Sequence, residues 1–162
     1  MNNKSKKRLA VFLVLTVLVT GFIFYNSLQN SEESSAASDI IKNLVEPIFD
    51  AIFGDGAVDA NYVVRKGAHF TEFFILGVMT FNVMASSVRR REQLKSIFGY
   101  GLFYVIAVAV TDEFIQSFSD RTSSVKDVLI DFSGAASGLL VSVLIMCLIE
   151  NGRKVKKYGD QN

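Results

Sequence analysis

The sequence predicts an all-α integral membrane protein, a four-helix bundle with a short interfacial helix on its outer face. Three observations predict it. Residues 9–28, 73–88, 96–111 and 132–149 are apolar runs without a single charged residue. Basic residues cluster at alternate ends of these runs. Apolar residues repeat at helical spacing in the segment between the first two runs. A helix rises about 1.5 Å per residue, so a hydrocarbon core about 30 Å thick takes about 20 residues. The first run is long enough alone. The other three reach this length only by recruiting polar residues at one end. A soluble bundle would place polar residues every three or four positions, and stretches such as FYVIAVAV (103–110) and LLVSVLIMCLI (139–149) hold almost none.

Composition agrees. Half of the 162 residues are hydrophobic and mean hydropathy is +0.33, which excludes a disordered chain. One cysteine excludes a disulfide framework and a cysteine-based zinc site. Seventeen basic residues against sixteen acidic ones argue against a nucleic-acid binder. The length suits a single membrane domain over 1–162, with spans at about 9–28, 67–88, 96–117 and 127–149. An outer linker and the interfacial helix occupy 29–66.

The first run follows Lys4, Lys6, Lys7 and Arg8. It exceeds the usual ~7–15 apolar residues of a signal peptide and reads as an uncleaved anchor. Arg89, Arg90, Arg91 and Lys95 separate the second and third runs, and Arg153, Lys154, Lys156 and Lys157 follow the fourth. The positive-inside rule then puts both termini and the 89–95 loop in the cytoplasm. Residues 29–66 and 117–126 face outward.

Residues 29–39 are polar and serine-rich and read as a solvated linker. Residues 40–53 carry apolar side chains at 40, 41, 44, 45, 48, 49, 52 and 53, a stripe too short to span and suited to the outer interface. Asp39 is placed to cap this helix, and Pro47 is expected to kink or split it. Gly54, Asp55 and Gly56 form a turn.

Three polar sets flank the spans at the expected outer face. Arg65, Lys66, His69 and Glu72 begin the second span. Asp112, Glu113 and Gln116 end the third, and Arg121, Lys126, Asp127 and Asp131 lead into the fourth. Spacings of three, four and seven residues put members of each set on one helix face. Ionisable groups in spans cost ~2.5–3.5 kcal/mol each at mid-membrane, so they turn inward or toward water. Asp127, three residues after Ser124, also has capping-box spacing. The cytoplasmic ends show only anchoring lysines and arginines. Gly134-x-x-x-Gly138 permits close helix approach, within the bundle or between chains.

Arg65-Lys66-x-x-His69-x-x-Glu72-Phe73, Asp112-Glu113-x-x-Gln116-x-Phe118 and Arg121-x-x-Ser124-x-x-Asp127, ending at Gly134, resemble the VanZ-like family. The resemblance covers about 60–145, and the first span adds nothing diagnostic to it. It implies a bacterial cell-envelope membrane protein, in a family named for resistance to teicoplanin, a lipid-bearing glycopeptide.

Two function classes remain open at this point, and with them whether the chain is an enzyme. In the first, Arg65, Lys66, Arg121 and Lys126 receive the head group of a membrane lipid, lipid-linked cell-wall precursor or lipoglycopeptide, with His69, Glu72, Asp112, Glu113, Gln116, Asp127 and Asp131 shaping the pocket. In the second, His69, Glu72, Asp112 and Glu113 are catalytic candidates in a membrane-embedded enzyme on a lipid-linked phosphate or sugar. With Asp131 they offer an oxygen-rich donor set for Mg2+ or Mn2+. A structural bundle sealed by ion pairs is the third possibility.

Overall fold

The computed structural model describes residues 3–29, 31–54, 57–88, 91–118 and 124–159. They form five helices and no strand: α1 Asn3–Leu28, α2 Ser31–Phe53, α3 Ala60–Ser87, α4 Arg91–Gln116 and α5 Val125–Gly159. Among the described residues, Asn3–Leu28, Ala60–Ser87, Gln93–Gln116 and Val125–Arg153 are long and apolar enough to cross a membrane.

Several expected boundaries move. The linker expected before residue 40 is largely helical, because α2 already starts at Ser31. Asp39 is therefore inside a helix and does not cap it. Serine is a moderate helix former, and glutamate and alanine are good ones, so a polar composition alone did not make residues 31–39 a linker. The helix continues through Pro47 rather than splitting there. It ends at Gly54, whose φ of +96° is the left-handed conformation that glycine adopts freely, and whose N–H donates to the Asp50 carbonyl. The turn expected over residues 54–56 otherwise falls outside the described residues. α3 begins at Ala60 because Asp59 accepts a hydrogen bond from the Tyr62 N–H. Residues 60–66, expected in the outer segment, thus belong to the helix, and so does Lys95 on α4.

α3 is the central helix and touches α1, α2, α4 and α5, while α4 also touches α1 and α5. Contacts along the pairs fix their directions. Thr20 meets Tyr104 and Ser27 meets Asp112, so α1 and α4 run parallel. Lys66 meets Asp127 and His69 meets Asp131, so α3 and α5 run parallel. Arg8 donates to Asn82 while Asn26 donates to Glu72, so α1 opposes α3. Four spans that alternate in direction produce this arrangement.

Glycines bring α3 and α5 together. A Cβ at Gly134 or Gly138 would run into the Phe70 or Phe74 carbonyl of α3, and one at Gly77 would run into Ala135 of α5. The small-residue motif therefore seats α5 inside its own bundle. Phe73, Leu76, Val105, Ala109, Ala135 and Leu139 fill the core. Large apolar side chains such as Val17, Phe103 and Leu148 point away from the bundle, as lipid-facing residues do.

Candidate functional site

Four helices send polar side chains into one end of the bundle. α3 contributes Lys66, His69 and Glu72; α4 contributes Asp112, Glu113 and Gln116; α5 contributes Asp127 and Asp131. α1 adds Asn26 and Ser27. His69, Asp112, Glu113, Gln116, Asp127 and Asp131 are all buried, with Asp112 at 0% and Asp131 at 1% exposure.

The carboxylates divide their work. Glu113 Oε2 accepts from the backbone N–H of Ser124 at 3.0 Å, and so secures the start of α5 from a neighbouring helix. Ser124 Oγ in turn accepts from the Asp127 N–H at 3.3 Å. The capping-box spacing thus makes only half a box, because Glu113 occupies the N–H that Asp127 would have reached. Asp127 instead pairs with Lys66 at 2.5 Å. Glu72 accepts from Asn26 Nδ2 at 2.8 Å.

Asp112 and Asp131 face His69. His69 Nδ1 lies 3.7 Å from Asp112 Oδ2 and 3.7 Å from Asp131 Oδ1. One donor atom from each of the three residues lies within 4.8 Å of the other two. Asp112 is held by Gln116 Nε2, which donates to Oδ2 at 2.7 Å, and by the Ser27 hydroxyl, which donates to Oδ1. The donor set considered from the sequence therefore separates. His69, Asp112 and Asp131 converge, while Glu72 hydrogen-bonds Asn26 and Glu113 hydrogen-bonds Ser124.

The basic residues do not gather as a head-group cradle among the described residues. Lys66 is committed to Asp127, Lys126 is exposed, and Arg65 is half-buried without a hydrogen bond or ion pair among the described residues. Arg121 lies outside the described residues. The described cluster is rich in acid: five carboxylates stand with one lysine and one histidine.

A family model described as VanZ/LLP1 matches residues 12–146. The chain belongs to the VanZ-like family. No curated protein and no solved structure matches it.

The family match takes in the first span of this VanZ-like protein, which the resemblance from residues 60–145 had set aside. The structure gives that span a place in the polar end, because Asn26 and Ser27 are the partners of Glu72 and Asp112. Their signal in the sequence was faint: two adjacent small polar residues ending an apolar run. The opposite end is also more than a set of anchors. Arg8 donates to Asn82 at 3.1 Å, and these two line a groove of about 490 Å³ with Glu150 and Arg153.

Proposed function

We propose that this VanZ-like protein binds a lipid-linked cell-envelope ligand, or a lipoglycopeptide such as teicoplanin, at an outward-facing polar site. On this reading it contributes to glycopeptide resistance or envelope maintenance. The observation that carries the reading is an apolar groove of about 220 Å³ between α1 and α3 that ends on Glu72. Leu15, Leu18, Val19, Phe22 and Ile75 line it. A lipid tail fits such a surface, and its polar head then lies beside the Glu72 end of the cluster. Burial of ionisable groups on spanning helices is costly, and a bundle that only had to pack would avoid it.

A second reading, a membrane-embedded metal-assisted enzyme acting on a lipid-linked phosphate or sugar, is supported by the convergence of His69, Asp112 and Asp131.

The test is teicoplanin susceptibility in cells expressing wild type, Glu72→Gln or Asp112→Asn at matched membrane levels. Protection by wild type that disappears in the variants is expected. Variants as protective as wild type would remove the polar end from the function. A wild type that protects no cell would break the glycopeptide link and leave lipid-linked ligands.

A further inference from the structure

The acid-rich cluster brings three metal-ligating residue types to one point. Two carboxylates, each at most 1% exposed, turn toward one imidazole. Both Nδ1 to carboxylate distances are 3.7 Å, longer than a hydrogen bond. Two donors bound at about 2.1 Å to one metal ion, and spread by about 90–120°, lie about 3.0–3.7 Å apart. The two separations from His69 fall at the upper edge of that range.

Asp131 supplies the second, independent observation. Its Oδ2 is buried and has no hydrogen-bond partner among the described residues. A buried carboxylate oxygen left without a donor is expensive, and a cation supplies what a donor would. The surroundings fit as well. Gln116 and Ser27 orient Asp112 as outer partners orient metal ligands. Lys66 forms its ion pair with Asp127 and not with a member of the trio. Glycine permits this geometry: α5 lies close enough to α3 for Asp131 to reach His69 because Gly134 packs on the Phe70 carbonyl one turn away.

We propose that His69, Asp112 and Asp131 hold a divalent first-row metal ion of the Mn2+ type at the junction of α3, α4 and α5. One imidazole nitrogen with carboxylate oxygens favours such an ion over Mg2+ and Ca2+, which take oxygen alone. Three protein donors leave coordination positions open. The inference deepens the lipid-linked reading in one respect: a phosphate-bearing head group entering an acid-rich site binds through the ion. The metal site itself does not depend on the identity of that ligand.

The experiment uses the full chain, purified in detergent and freed of metal, titrated with Mn2+ and followed by electron paramagnetic resonance without any lipid-linked ligand. One Mn2+ per chain is expected. Spin-echo modulation from a single imidazole nitrogen is expected in the wild type, which requires no variant to fold. Asp131→Asn and His69→Gln weaken binding by about tenfold or more, while Glu46→Gln on α2 binds as wild type does. In a Cys147→Ser background, His69→Cys shifts preference toward Cd2+. Absence of binding, binding without nitrogen modulation, or binding unchanged in monodisperse Asp131→Asn would overturn the site. A polyprenyl-diphosphate probe is then bound with and without chelator. Probe binding that resists chelation would overturn the bridging role alone, and absent probe binding beside intact Mn2+ binding would overturn the lipid-linked reading alone.

Discussion

Glu113 shows how little of a residue's role its type reveals. It stands beside Asp112 in the sequence, yet the two carboxylates serve different helices. Asp112 faces His69, and Glu113 accepts the first free N–H of the α5 start. A glutamine at 113 keeps an oxygen for that bond and a leucine does not. Glu113→Gln is therefore expected to stay close to wild type in thermal unfolding in detergent. Glu113→Leu is expected to lose about 0.5–2 kcal/mol by removing the acceptor that holds the α5 start. Lys66 and Asp127, at 16% and 11% side-chain exposure, form a largely buried pair. Lys66→Met alone is expected to cost about 3–5 kcal/mol, and Lys66→Met with Asp127→Asn distinctly less, because the double change leaves no lone buried charge. A double-mutant cycle in the same assay measures the difference. Most of the cluster could be read from the chain because ionisable residues stand out on apolar helices. Asn26 and Ser27 could not, since small polar residues near a span end are common and their partners lie 46 and 85 positions away.

Among the elements, the apolar runs were legible because length and hydropathy decide a span. The helix starts were not, because caps such as Asp59 act through single hydrogen bonds that periodicity does not register. α2 is the clearest case. Its amphipathic stripe was visible, and its extension to Ser31 was hidden by serines that tolerate both helix and linker. The stripe itself divides in the structure. Val45 and Phe49 are half-buried, whereas Ile41, Leu44, Ile48 and Ile52 are exposed, with Leu44 at 73%. An exposed apolar row on one face of an amphipathic helix suits the membrane interface. In a Cys147→Ser background, a cysteine replacing Asn43 is expected to react with a membrane-impermeant maleimide about tenfold faster than one replacing Leu44 or Ile48. Equal rates would free α2 from the membrane. At the α3–α5 seam, Gly138→Val drives a side chain into the Phe74 carbonyl. Overpacking of this kind costs about 1–3 kcal/mol, and a lowered unfolding temperature checks it.

The whole molecule is a bundle with one acid-rich polar end and a lipid-facing apolar exterior. Parallel pairs α1/α4 and α3/α5 bring the ends of α1 and α4 against the beginnings of α3 and α5. Four sequence segments that are far apart thereby meet at one level. The alternation of spans, read from charge and hydropathy, contained this meeting in outline. It did not contain the division of labour within it, because that depends on rotations of each helix that no spacing rule fixes. The division places Glu72 at the mouth of an apolar groove and keeps Asp112 and Asp131 inside. The most direct measurement uses a polyprenyl-diphosphate probe with a photoreactive group in its tail, bound to the protein in nanodiscs and mapped by peptide mass spectrometry. Labelling concentrated at Leu15, Leu18, Phe22 and Ile75, and sharply reduced in Glu72→Gln, is expected. Labelling spread over the exposed faces of α4 and α5, at the same level in wild type and variant, would contradict it.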